Sequence, residues 1–175
     1  MHSFVDIFFF LHIHFNGDNV NKKYDKEFII SLLIPLVVGV VSGLISRNGM
    51  MEFANLKMPS FAPPGFVFPI VWTILYILMG ISSYLIYDSN DYHKNCCLVI
   101  YGLSLFLNFF WSPIFFGLEL RLFALIWIIL LDIVIIYMIW CFYGINKKAA
   151  YLQIPYLLWC LFATFLNYSI YMLNR

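Results

Sequence analysis

The sequence predicts an all-α membrane protein, a bundle of five transmembrane helices, and three observations carry that prediction. Five apolar runs of spanning length follow one another from about residue 27 onward, and a hydrocarbon core of roughly 30 Å is crossed by about 20 mostly apolar residues in a helix. The chain is 63% hydrophobic and 21% aromatic but only 11% charged, which leaves too few ionic groups to solvate an ordinary globular surface. Every gap but the first is too short for a separate domain, and irregular backbone or an open sheet edge facing lipid would leave amides unpaired.

The first run, about residues 27–46, carries Pro35 and a pair of glycines, Gly39 and Gly43, whose spacing permits close helix contact, expected here within one subunit. A polar, proline-bearing loop is expected over residues 47–64. The second run covers about residues 65–87 and stops at a charged turn, 88–94; the third covers about 96–117. Only residues 118–121 separate it from the fourth run, about 122–143, and residues 144–148 join that to a fifth, about 149–173. No internal repeat is visible.

Residues 1–15 are apolar and aromatic, yet they are too short to span, lack a basic start and precede a polar segment, residues 16–26. The membrane domain is therefore drawn as residues 27–175. Residues 1–26 are an N-terminal extension, read as an interfacial segment or as residues upstream of the true start codon. His12 and His14 have no third ligand in sight and read as surface residues, so no metal site is expected. Cys96, Cys97, Cys141 and Cys160 show neither C-x-x-C spacing nor a histidine nearby, and read as small apolar packing groups.

A formal net charge of +1 gives no basic surface for nucleic acid, so the bilayer is the expected partner. Lys22, Lys23, Lys26, Lys94, Lys147 and Lys148 fall on the side of the amino terminus, and Arg47, Lys57, Arg121 and Arg175 on the other. Basic residues near helix ends are retained in the cytoplasm, which favours a cytoplasmic amino terminus and places the first loop on the opposite face.

That topology sorts residues by depth. At 1.5 Å per residue, Trp72 lies about 10 Å inside the second helix from the first-loop face, and Trp111 lies similarly deep in the third. Trp159 stands near the middle of the fifth helix, with Ala163 and Asn167 following at four-residue intervals on the same stripe. Tyr76 repeats below Trp72, and Asn108 shares a side with Trp111. Indole and phenol rings dotted with amides are the composition of a small-molecule pocket. Tight aromatic packing with amide bonds between helices predicts the same spacing.

Four blocks of sequence go further. They are Met58-Pro59-Ser60-Phe61-Ala62-Pro63-Pro64-Gly65; Val71-Trp72-Thr73-Ile74-Leu75-Tyr76 through Gly80; Leu107-Asn108-Phe109-Phe110-Trp111-Ser112-Pro113 through Gly117; and Pro155-Tyr156-Leu157-Leu158-Trp159 through Asn167-Tyr168. In order and spacing they resemble the translocator protein family, also called tryptophan-rich sensory proteins or peripheral-type benzodiazepine receptors. The resemblance spans about residues 28–173.

What the resemblance implies is a five-helix membrane receptor, commonly a homodimer, that binds tetrapyrroles such as protoporphyrin IX or a haem-like ring, and flat heterocycles of the benzodiazepine and isoquinoline carboxamide type. No cofactor is implied. Trp72, Tyr76, Asn108, Trp111, Trp159, Ala163 and Asn167 would line its pocket, and Pro59, Phe61, Pro63, Pro64, Gly65 and Phe66 would form a lid. Some relatives are associated with light- or oxygen-dependent porphyrin breakdown at the positions of Trp72 and Trp159. With no nucleophile and base in the membrane runs, a receptor is expected before an enzyme. A transporter of porphyrin or sterol-like molecules and a non-binding scaffold are the alternatives. Relatives occupy bacterial envelopes and mitochondrial outer membranes, and the Lys, Asn, Ile and Phe usage favours a bacterial cell membrane.

The chain departs from that family at Phe61 and Phe66, where many relatives place tryptophan, and at Phe123. Asp132 puts a carboxylate in the middle of the fourth helix, where it is expected to face the interior or a partner. Leu166, Tyr171 and Arg175 fit a loose sterol-binding pattern.

Overall fold

A computed structural model describes residues 22–53 and 56–175 of the chain. The expectations for residues 1–21, His12 and His14 among them, lie outside the described residues. The described chain forms five long helices: α1 (Lys22–Phe53), α2 (Val67–Tyr87), α3 (Lys94–Ser112), α4 (Arg121–Ile145) and α5 (Lys147–Leu173). All five contain a segment long and apolar enough to cross a membrane. They pack in the ring order α1, α2, α5, α4, α3, with α2 also touching α3 across the middle. The core is aliphatic at Met79, Ile128, Leu131, Ile135 and Met138, while α1 turns Ile29, Leu33, Val37, Val40 and Leu44 outward, as lipid in place of water requires.

Two expected boundaries are corrected. The first helix runs on to Phe53, well into the stretch read as loop. Its added turns have a partner: Gly49 lies so close to the Phe116 carbonyl that no side chain would fit between them. The third run is not one continuous α-helix, because Pro113–Gly117 forms a π-helical turn in which Leu118 N–H donates to the Pro113 carbonyl at 2.9 Å.

Proline explains the contact between α1 and α3. Pro113 has no N–H to give the Phe109 carbonyl four residues back, and that carbonyl instead accepts from Ser42 Oγ of α1 at 2.7 Å. One turn on, Ser112 Oγ donates to Ser46 Oγ at 2.8 Å, and Ser46 donates to the Ser42 carbonyl at 2.9 Å. Serines thus replace the hydrogen bond that proline removes, the use polar side chains find between helices where water is absent.

The α1–α2 seam follows the same logic. Pro35, buried inside α1, leaves the Ser31 carbonyl without its helical donor, and Gly80 of α2 sits directly beneath it. A Cβ on Gly80 would stand 2.8 Å from both that oxygen and Leu32 Cα. Gly39 lies against the Tyr76 ring, so this glycine serves packing within the subunit as expected; Gly43 faces open space.

The other seams have their own ties. Ser82 Oγ donates to the Ala149 carbonyl at 2.8 Å, joining α2 to α5, and Trp127 Nε1 donates to the Leu107 carbonyl at 2.8 Å, joining α4 to α3. A single residue, Asn146, separates α4 from α5, and its side chain caps α5 by accepting from the Lys148 and Ala149 amides. Asp132 faces inward, where Thr164 Oγ1 of α5 donates to its Oδ2 at 2.7 Å while Oδ1 has no partner. Of the cysteines, Cys97 and Cys160 are buried, but Cys96 is exposed and so is no packing group.

The glycine contacts make a contrast testable by thermal unfolding in detergent. Gly80→Ala is expected to destabilise the protein by about 1–3 kcal/mol, since its methyl must push two backbones apart. Gly43→Ala meets nothing, and is expected to be neutral or stabilising by up to about 1 kcal/mol through helix propensity. Equal effects of the two would contradict the packing described.

Candidate functional site

The residues singled out by depth converge on the half of the bundle nearest the first loop. On α2, Trp72 stacks on Tyr76, one turn along, with ring centroids 5.3 Å apart and planes 26° from parallel. The Trp72 ring also meets Tyr156 of α5 edge-on at 6.3 Å. Tyr76, buried, donates its hydroxyl proton to Asn108 Oδ1 of α3 at 3.0 Å. Three helices are therefore joined through Trp72, Tyr76, Tyr156 and Asn108. Inside a bilayer the phenol–amide bond is the main outlet for both polar groups.

A second group of rings lies closer to the loop. Trp159 meets Phe68 edge-on at 5.8 Å and lies against Phe162 at 5.4 Å. Ala163 is buried one turn beyond Trp159. On the α3 side, Trp111 stacks on Phe115 at 5.2 Å with planes 15° apart, and the Phe116 ring stands edge-on to it at 6.0 Å. The π-helical turn makes that last arrangement possible, because it places successive phenylalanines around one indole.

Two polar atoms among these rings stand out, and one, the Tyr156 hydroxyl beside Trp72, is buried with no hydrogen-bond partner. Trp111 Nε1 is buried and has no hydrogen-bond partner, and an unpaired buried donor costs about 1–3 kcal/mol. The other indole N–H at a similar level, on Trp127, is satisfied by the Leu107 carbonyl.

The loop between α1 and α2 covers these rings. Phe61 stacks on Phe165 of α5 with centroids 5.0 Å apart, and touches the edge of Phe162 at 6.4 Å. Met58 and Ala62 pack down against the inner aromatic and aliphatic side chains. Two tight turns shape the loop, with Ala62 N–H donating to the Pro59 carbonyl and Val67 N–H to the Pro64 carbonyl, each at 3.0 Å. Pro63 is half-buried, whereas Pro64 and Gly65 are exposed. Phe66, at 67% exposure, points away and takes no part in the cover. The loop is held at its root by Asn174: Lys57 N–H donates to Asn174 Oδ1 at 3.0 Å and Asn174 Nδ2 donates to the Lys57 carbonyl at 3.0 Å. An amide side chain here pairs with a backbone as a neighbouring strand would.

Not every expected residue joins the cluster. Asn167 is buried, but its amide serves α4: oriented to satisfy both groups, Nδ2 donates to the Arg121 carbonyl at 3.1 Å and Oδ1 accepts from Leu125 N–H at 3.2 Å. The three residues of the sterol-like pattern do not share a surface. Leu166 is buried inside, while Tyr171 and Arg175 line a shallow groove of about 490 Å³ beside Leu122 and Phe123. Tyr156, Phe68, Phe162 and Asn174 were not singled out from the sequence. The first three could have been found, since Tyr156 precedes Trp159 by about one helical turn and Phe68 precedes Trp72 by one. Asn174 carries no local signal, because its partner is 117 positions away. Among the described residues no group of three or more His, Cys, Asp or Glu side chains gathers where a metal could sit.

Fold and site together define a multi-pass helical membrane protein with a lid-covered aromatic cluster in one half of the bilayer. The chain belongs to the TspO/MBR family, whose sequence model matches residues 31–173. It is 36% identical over 149 residues to the tryptophan-rich protein TspO of Archaeoglobus fulgidus, an alignment covering 85% of this chain and 97% of that one. It is 35% identical over 139 residues to the human translocator protein, covering 78% and 82%. With the tryptophan-rich sensory protein of Cereibacter sphaeroides the identity is 32% over 122 residues, 70% of this chain and 76% of the relative.

The Asn174 clamp gives a direct test of the lid. Two hydrogen bonds at about 0.5–1.5 kcal/mol each hold it, so Asn174→Ala is expected to raise hydrogen exchange at the Ala62 amide by roughly tenfold. Unchanged protection at Ala62 would mean that the phenylalanine stack alone holds the loop.

Proposed function

We propose that this protein is a membrane receptor for tetrapyrroles such as protoporphyrin IX and for planar heterocycles of the benzodiazepine and isoquinoline carboxamide type. The reading rests on the family and on the aromatic cluster beneath the loop. The observation that carries it is the buried, unpartnered indole N–H of Trp111 among stacked rings. A bilayer-embedded core has no reason to keep such a donor unpaired, and a carboxylate or carbonyl on a flat guest would satisfy it.

The energetics suit a flat apolar guest. Burying a fused-ring surface contributes about 25 cal/mol per Å² before the costs of association are subtracted. Aromatic stacking on Trp72, Trp111 or Trp159 adds roughly 0.5–1.5 kcal/mol per pair. In the described arrangement each of these rings rests on a neighbouring phenylalanine or tyrosine, so a guest enters by parting side chains and takes over their contacts. The loop, held by the Phe61 stack, the Asn174 clamp and the packing of Met58 and Ala62, is the element through which a guest enters in this reading. Asn108 has its carbonyl engaged by Tyr76, and its role is to hold the Tyr76 ring, and with it Trp72, at a fixed angle.

Quenching of tryptophan fluorescence by protoporphyrin IX in detergent tests the reading. Saturable quenching is expected. Trp111→Phe keeps a ring against Phe115 but removes the N–H, and is expected to weaken protoporphyrin IX about tenfold, the value of a charge-assisted hydrogen bond. The same variant should leave octaethylporphyrin, which has no carboxylates, unchanged. Absence of saturable quenching by either porphyrin would overturn the proposal.

A further inference from the structure

The opposite half of the bundle carries a second concavity. It lies between α1, α2 and α3 at the face of the amino terminus, with a volume of about 700 Å³, within the roughly 300–1,000 Å³ of small-molecule sites. Its walls are mostly apolar, with Ile30 on α1 and Leu98 on α3 about one turn in from that face, and Ile34 and Leu105 deeper. Ile30 and Ile34 are 43% and 48% exposed, so the groove opens sideways to the hydrocarbon. Gly102 lines it too, and a Cβ there would meet nothing within 4 Å.

The polar groups lie in two tiers. At the rim stand Lys26, Glu27 and Tyr87. Lys26 makes no ion pair among the described residues. One turn below Tyr87, about 6 Å at 1.5 Å per residue, Ser83 and Tyr101 line the groove. Ser83 spends its proton on the Gly80 carbonyl at 2.9 Å. Tyr101 is only 6% exposed, and its hydroxyl has no hydrogen-bond partner.

We propose that this groove holds one acyl chain of a membrane phospholipid, with the lipid phosphate at Lys26 and an ester carbonyl accepting from Tyr101. The sequence of environments down the groove is cation, hydroxyl donor, then aliphatic wall. A phospholipid presents phosphate, ester and hydrocarbon in the same order. A flat macrocycle fits poorly, since the walls offer Ile, Leu and Gly where the first-loop site offers stacked indoles. The site is separate from the aromatic cluster, which lies toward the other face, and does not depend on the function proposed for it.

Photocrosslinking of the full chain in detergent micelles tests the inference, using a phosphatidylglycerol with a diazirine on one acyl chain and mass spectrometry of the peptides. Saturable adducts are expected on residues 30–34 and 98–105, displaced by unlabelled phosphatidylglycerol. Gly102→Phe fills the groove and should reduce labelling at least tenfold, with Gly102→Leu as the milder variant, while the helical circular dichroism and thermal unfolding midpoint stay as in the wild type and report an intact fold. Lys26→Gln should weaken labelling about fivefold, and diacylglycerol, which lacks the phosphate, should compete about fivefold less well than phosphatidylglycerol. Labelling spread evenly over the lipid-facing sides of α4 and α5, or unchanged in both Gly102 variants, would overturn the proposal. So would crosslinks showing the same positions covered by a second copy of the chain or by its own residues 1–21.

Discussion

Inside a bilayer a polar group that loses its partner cannot turn to water, and the bundle is organised around that constraint. Each of two prolines removes a helical hydrogen bond, and each sits at a close contact with another helix. Pro113 frees the Phe109 carbonyl, which Ser42 takes; Pro35 frees the Ser31 carbonyl, beneath which Gly80 brings α2 into close contact. These two places set how α1 lies against α2 and α3. The π-helical turn that follows Pro113 then arranges Phe115 and Phe116 around Trp111. The constraint that shapes the fold thereby also shapes the aromatic site.

The same constraint makes the exceptions informative. Asp132 takes one hydrogen bond from Thr164 and leaves an oxygen bare; Gln153, fully buried on α5, has neither amide atom bonded; Trp111, Tyr156 and Tyr101 keep unshared protons. Each such group is a net loss to stability by itself. Trp111 and Tyr156 lie among the stacked rings, and Tyr101 lies beside a groove open to lipid. Proteins keep locally unfavourable groups where binding recovers the loss.

Much of this architecture was legible in the chain because the bilayer imposes a length and hydrophobicity threshold that five runs meet. Depth alone collected Trp72, Tyr76, Asn108, Trp111, Trp159 and Ala163, since spanning helices share a fixed rise and parallel axes. What stayed hidden depends on contacts distant in sequence. The extra turns of α1 look like loop because Arg47, Asn48 and Gly49 end the apolar run; as helix, they pack Gly49 on the turn at Phe116. Asn167 shared the Trp159 stripe, yet its amide is claimed by the start of α4. The Asn174 clamp joins the two ends of the fold and has no local pattern at all. Phe61 in place of an indole keeps the lid apolar, and its stack on Phe165 shows that a phenyl ring suffices to seat it.

In the receptor proposed above, the Trp111 N–H donates to an acceptor on the flat guest. The indole region of a nitrogen–proton correlation spectrum, recorded on detergent-solubilised protein during titration with protoporphyrin IX, reads that bond. Trp140, 69% exposed on the lipid-facing side of α4, serves as the internal reference. The account predicts that the Trp111 N–H resonance moves downfield and saturates, as a newly formed hydrogen bond requires, while Trp140 stays in place. A Trp111 resonance that does not move at saturating porphyrin, or one that shifts in parallel with Trp140, would contradict it.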